Sequence, residues 1–176
     1  MVDRYGEHYA FYPGVPAILR AAHDLGIPMG LASRTYAPEL AREMLRGLTI
    51  PPLEPAAAAA AAAATAEDGE WCGGAGGVGK TLRAIDIFTH QQIFPGSKTS
   101  HFQRIQDATK KAKGGEVAFA DMLFFDDEGR NRNVETELGV TFWLVPDGIT
   151  RDEVDKGVWE WRRRKGIRRD GREWDE

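Results

Sequence analysis

Apolar residues recur at helical spacing in the first third of the chain. Val15, Ile18, Leu19, Ala22 and Leu25 fall on one face, Pro16 suits a first turn, and Gly26 ends the run. The pattern predicts a helix over 15–25. Ile27-Pro28-Met29-Gly30-Leu31-Ala32 then reads as a short buried strand that stops at three polar residues, Ser33-Arg34-Thr35. A second helix is predicted from Pro38 to Arg46. Alternation over Ala84–Thr89 predicts a strand, Pro95-Gly96-Ser97 a turn, and Thr99–Lys111 a helix. Met122-Leu123-Phe124-Phe125 is apolar throughout, as a parallel strand covered on both faces should be, and it ends in Asp126-Asp127. Residues 128–138 read as a helix and Thr141–Val145 as the last strand. This alternation of helix and strand predicts an α/β domain with a parallel sheet over residues 1–150, followed by a basic helix or tail over 151–176.

Residues 49–80 interrupt the rhythm. Three prolines lead into the alanine run Ala56–Ala64 and then into Gly73-Gly74-Ala75-Gly76-Gly77, so the segment reads as a low-complexity surface insertion. Gly74-Ala75-Gly76-Gly77-Val78-Gly79-Lys80-Thr81 spells a nucleotide-binding P-loop. Such a loop works only when a strand delivers it and a helix leaves it, so that its N–H groups converge on phosphate. No apolar run leads into this one, and it lies in a glycine-biased stretch, so the NTPase reading is set aside.

Composition narrows the picture further. The 176 residues favour one domain, and with 42% hydrophobic residues they suffice for a core. A net charge of −4 gives no general reason to expect nucleic acid. The single cysteine, Cys72, makes no internal disulfide, in keeping with a reducing compartment. With no signal-peptide pattern at Met1–Tyr12 and no membrane-spanning run, the expectation is a cytoplasmic protein. Arg162, Arg163, Arg164, Lys165, Arg168 and Arg169 read as a solvated helix end with Trp159 and Trp161 packing back; nuclear targeting or a nucleic-acid contact is the lesser reading.

The chemistry gathers at three predicted strand ends. Ser33, Arg34 and Thr35 follow the first strand, Ser97 and Lys98 the second, and Asp126, Asp127 and Glu128 the third. In an open parallel sheet the carboxyl ends of strands share one rim, and ligands bind there. A hydroxyl and an ammonium suit a phosphoryl group. Paired carboxylates suit Mg²⁺, which takes only one or two beside waters and substrate oxygens.

These residues resemble motifs two, three and four of the haloacid dehalogenase (HAD) superfamily, and more closely its eukaryotic magnesium-dependent phosphatase family. The matching stretches are Phe11-Tyr12-Pro13-Gly14-Val15-Pro16, Ala32-Ser33-Arg34-Thr35, Ile93-Phe94-Pro95-Gly96-Ser97-Lys98, His101-Phe102, Phe124-Phe125-Asp126-Asp127-Glu128 with Arg130-Asn131, and Gly139-Val140-Thr141. The resemblance covers about residues 3–48 and 82–150. It implies a three-layer Rossmannoid fold and Mg²⁺-dependent hydrolysis of phosphomonoesters, protein phosphotyrosine or sugar phosphate, through an aspartyl-phosphate. Ser33 and Lys98 would then be catalytic. Ser33, Arg34, Thr35, Lys98 and Asn131 would bind phosphate, and Asp126, with Asp127 second, would hold Mg²⁺.

One part of the family pattern is missing. The family opens on an apolar strand ending in Asp-x-Asp, whose first Asp attacks phosphorus. No Asp-x-Asp stands on an apolar run here, so the chain is expected to begin after that central strand. Losing about three or four buried side chains would cost roughly 5–10 kcal/mol, as much as a typical domain's whole stability. Little or no turnover is expected, and a non-catalytic phosphate- or protein-binding remnant is the alternative. The four histidines form no metal-ligand pattern; His101 begins the helix after Lys98 and is read as structural or capping, with an approach to the site as the lesser reading.

Overall fold

Gly14 sits in the left-handed region at φ 86° and turns the chain into α1 (Val15–Asp24), with Pro16 in its first turn. β1 (Met29–Ser33) follows, then α2 (Pro38–Gly47), again opened by proline. The computed structural model describes residues 1–2, 6–53, 80–112 and 115–167. These form two compact units, Met1–Leu31 with Thr35–Ile93, and Ala32–Arg34 with Phe94 onward.

In the first unit, β2 (Thr49–Ile50) and β3 (Leu82–Arg83) pair antiparallel, Thr49 opposite Arg83 and Ile50 opposite Leu82. Ile50 is fully buried, so the chain stays in the core two residues into the predicted insertion. Residues 54–79, with the alanine run and the P-loop match up to Gly79, lie outside the described residues. Ile50, Ala84 and Ile87 centre a core that Phe11, Leu19, Met29, Leu45, Leu48, Leu82 and Phe88 complete.

The strand predicted over Ala84–Thr89 is corrected. Ala84–Ile87 is a single helical turn, α3, and the strand, β4, runs Phe88–Ile93 beside β1. Ala84 and Ile87 both face the core at a spacing of three, which a helical turn provides and a strand does not. Arg83 Nε reaches Asp86 Oδ2 at 2.7 Å on the outside, and Gln91 Nε2 donates to Ile85 O at 2.8 Å. Arg20 is the unexpected buried residue of α1. Its Nε donates to Asp24 Oδ2 at 2.8 Å, and a terminal nitrogen donates to Lys80 O at 2.8 Å.

In the second unit, Ser97 caps α4 (Lys98–Lys111): its Oγ accepts from Ser100 N at 3.1 Å, while Lys110 and Lys111 suit the carbonyl end. β5 (Leu123–Asp126) and β6 (Thr141–Leu144) run parallel, Leu123 opposite Thr141 and Asp126 opposite Leu144. The predicted helix between them is split. Gly129–Arg132 is a 3₁₀ turn, and α5 (Asn133–Leu138) is a short helix closed by Gly139 at φ 83°. Phe102, Val134, Val140 and Phe142 form the core, with Ala32, Phe124 and Leu138 against it. α6 (Arg151–Arg164) packs on β5 and β6. It does so through Gly157, where an added Cβ would stand 2.6 Å from the Phe125 ring. In the basic segment Arg163 pairs with Glu160, Arg164 with Glu160 and Glu135, and Lys165 with Asp121; Arg168 and Arg169 lie outside the described residues.

The fold is mixed α/β, with β5–β6 a parallel pair joined by a helical crossover. β5 carries β6 on one edge and, among the described residues, no strand on the other. No helix among these residues is long and apolar enough to cross a membrane.

Candidate functional site

The polar cluster of the second unit is built around the end of β5. There Asp126 projects a carboxylate whose side chain is 8% exposed. Its Oδ1 accepts from Glu128 N at 2.9 Å and from Asn131 Nδ2 at 2.7 Å, and its Oδ2 faces Lys98 Nζ at 3.0 Å. A carboxylate offers about four lone-pair sites. Three are taken, and one on Oδ2 is left.

Lys98 is buried to the same degree as its partner. Its ammonium donates to Ala32 O at 2.5 Å and lies 5.1 Å from the centre of the Phe124 ring. An ammonium has three N–H donors. Ala32 O and Asp126 engage two, and no described residue accepts from the third. The ammonium is thus buried with one donor uncommitted among the described residues. It is placed there because the first turn of α4 meets the ends of β1 and β5.

The Ala32–Arg34 segment completes the cluster. Ser33 O accepts from Phe94 N at 3.1 Å and lies 3.0 Å from His101 Nε2. The Arg34 guanidinium donates to Glu128 Oε2. Glu128 is the most heavily braced acid here. Arg130 Nη2 reaches its Oε1 at 2.6 Å, and Asn131 Nδ2 its Oε2 at 3.1 Å. The Arg130 hydrogen bond first, then the charges of Arg130 and Arg34, hold the Glu128 carboxyl down at about 2. Asn131, 3% exposed, thus bridges two carboxylates through one amide nitrogen.

Of the residues singled out from sequence, Ser33, Arg34, Lys98, Asp126 and Asn131 fall in this one connected set. Asp127 is exposed beside it and makes no hydrogen bond or ion pair among the described residues. Thr35 belongs to the first unit, where its Oγ1 accepts from Ala37 N at 3.1 Å. Sequence reasoning placed Glu128 among the polar groups after β5 and both Glu128 and Arg130 in a matching stretch, but gave neither a role. The available signal was three charges within three residues of Asp127, too common in a helix-starting turn to single out. His101, read from sequence as structural or capping, is fully buried, and its ring sits between Ser97 O, Ser33 O and Phe94 O.

The donor set suits a hard divalent cation with few protein ligands. One lone-pair site of Asp126 and the carboxylate of Asp127, unpaired among the described residues, are hard oxygen donors, the number such an ion takes when waters and substrate supply the rest. No group of three His, Cys, Asp or Glu side chains able to cage a metal occurs among the described residues.

The cluster stands in an α/β protein, and comparison with known proteins gives its family. The acid phosphatase family profile matches residues 1–164. Human magnesium-dependent phosphatase 1 is 29% identical over 156 residues, 89% of this chain and 66% of its own length. A HAD-like hydrolase superfamily protein of Schizosaccharomyces pombe is 31% identical over 143 residues, 81% of this chain and 64% of its own. A putative magnesium-dependent phosphatase of Saccharomyces cerevisiae is 26% identical over 148 residues, 84% of this chain and 67% of its own. The chain belongs to the acid phosphatase family, and with it to the magnesium-dependent phosphatases of the HAD superfamily. It spans about two thirds of the length of these relatives.

Proposed function

We propose that this chain carries the phosphate- and Mg²⁺-binding half of a phosphomonoester hydrolase site. The observation that carries the reading is the buried Lys98 ammonium, held by Ala32 O and Asp126 with its third donor uncommitted among the described residues. Ser33 supplies a hydroxyl to a phosphoryl oxygen, and Lys98 supplies a charge-assisted hydrogen bond in a site where water screens little. Asn131 and the Glu128 N–H fix the Asp126 carboxylate so that Oδ2 faces Lys98 and the ligand. Arg34, held by Glu128, stands ready as a second anion donor. Asp126, with Asp127 second, would hold Mg²⁺, which when bound neutralises phosphate charge and polarises the phosphoryl oxygens.

The family chemistry passes through an aspartyl-phosphate. Among these 176 residues no Asp-x-Asp stands on an apolar run, and Asp126 has its oxygens turned to Lys98, Asn131 and Glu128 N. The chain as given therefore binds phosphate without turning it over. Protein phosphotyrosine and sugar phosphate are the two substrate classes to assay. The test is a Mg²⁺-dependent assay on both, and on an aryl phosphate, beside tungstate binding by the same sample. Binding without hydrolysis is expected, weakened by Ser33→Ala and Lys98→Ala. Rapid hydrolysis would refute the division between binding and turnover, and no binding would refute the site.

A further inference from the structure

We propose that His101 is a positioning residue for the anion site, an imidazole clamp that holds the Ser33 segment against the first turn of α4. This deepens the phosphate reading above and rests on it.

The ring is wholly buried, and its nitrogens meet backbone acceptors alone among the described residues. Nδ1 lies 2.5 Å from Ser97 O, one turn back in its own helix. Nε2 lies 3.0 Å from Ser33 O and 3.0 Å from Phe94 O. One ring therefore joins three segments: the end of β1, the residue after β4, and the cap of α4. Phe94 closes one face, stacked at 4.0 Å between centroids and 13° between planes. Phe94 N donates to Ser33 O at 3.1 Å, so Ser33 O is gripped from two sides. Three bonds from Ala32 O, where Lys98 Nζ docks, lies Ser33 Cα. The clamp and the lysine thus fix both ends of the stretch that carries the Ser33 hydroxyl.

Carbonyl oxygens only accept, so the ring holds Ser33 O and Phe94 O by donation from Nε2. The Arg104 guanidinium lies 4.3 Å from the centre of the Phe94 ring that covers the imidazole, and among the described residues no carboxylate hydrogen-bonds the imidazole.

His101→Gln and His101→Asn separate positioning from mere packing. A glutamine amide reaches the position of Nε2 and retains donation toward Ser33 and Phe94; an asparagine amide reaches only that of Nδ1. Amide hydrogen exchange of Phe94 reads the grip directly. Titration with tungstate, a tetrahedral dianion of constant charge across the neutral range, reads its consequence. The Gln variant should bind tungstate with an affinity close to that of the wild type, and the Asn variant should lose about tenfold in affinity, with Phe94 exchange faster in Asn than in Gln. Equal Phe94 exchange and equal affinity in the two variants would overturn the clamp. Wild type that fails to bind tungstate, while Phe94 exchange responds as stated, would instead sink the phosphate reading.

Discussion

Replacing Lys98 by methionine keeps the length of the side chain and removes its charge. The structure sets the size of the effect. Lys98 and Asp126 are each 8% exposed at the side chain and 3.0 Å apart. Without the ammonium, Asp126 keeps two donors, Asn131 Nδ2 and Glu128 N, and Ala32 O loses the donor it had at 2.5 Å. Breaking a buried pair by deleting one partner typically costs about 3–5 kcal/mol, because a charge is left buried without its counter-charge. A domain has only about 5–15 kcal/mol to lose. Urea unfolding followed by far-ultraviolet circular dichroism should show the Lys98→Met midpoint falling steeply. Adding Asp126→Asn removes the stranded charge while Oδ1 still accepts from Asn131 and Glu128 N, so the double variant should recover at least about 2 kcal/mol over Lys98→Met. If the single variant loses under about 1 kcal/mol, or the second change brings no recovery, the pair is not the buried, coupled element described above.

Four further outcomes follow. Asp127→Asn should leave stability within about 0.5 kcal/mol yet remove most of the rise in thermal midpoint that Mg²⁺ gives the wild type, whereas Asp126→Asn should change both. Gly157→Ala should lower stability by about 1–2 kcal/mol despite the better helix propensity of alanine, because its Cβ would press on the Phe125 ring; a scan of thermal midpoints decides. The Glu128 carboxyl, held at about 2 against an ordinary 4.5, contributes stability that is complete above about pH 4.5 and is lost as pH falls toward 2. Glu128→Gln should therefore flatten the acid limb of a stability–pH profile between those values, lying below the wild type on the neutral plateau and meeting it at the acid end. Arg20→Ala strands Asp24 and Lys80 O, and should cost about 1–3 kcal/mol in chemical denaturation.

Much of this was legible in the sequence, for identifiable reasons. The α4 helix could be read because Phe102, Ile105 and Thr109 keep one face at helical spacing and Ser97 is a strong cap. β5 and β6 could be read because an apolar run of four or five residues, bounded by polar ones, fits few other roles. Ala84–Thr89 could not. Ala-Ile-Asp-Ile-Phe-Thr satisfies a period of two and a spacing of three alike, and only the core formed by Ile50 and Leu82 decides between them. The candidate set was visible as residue types at strand ends. The bonds that assemble it were not: Lys98 and His101 bind carbonyl oxygens of Ala32, Ser33, Phe94 and Ser97, and an acceptor that every residue possesses leaves no mark in the sequence. Arg34 and Glu128 were each in view, but nothing in a chain of charges names a partner 94 residues away.

The most direct test of a shared anion site is amide chemical-shift mapping of the purified chain during a tungstate titration with Mg²⁺ present. The shifts should fall together on residues 33–34, 98–101 and 126–131, saturate with one affinity, and vanish in Lys98→Ala. Shifts gathered instead on the basic face of α6, or scattered without saturation, would contradict it.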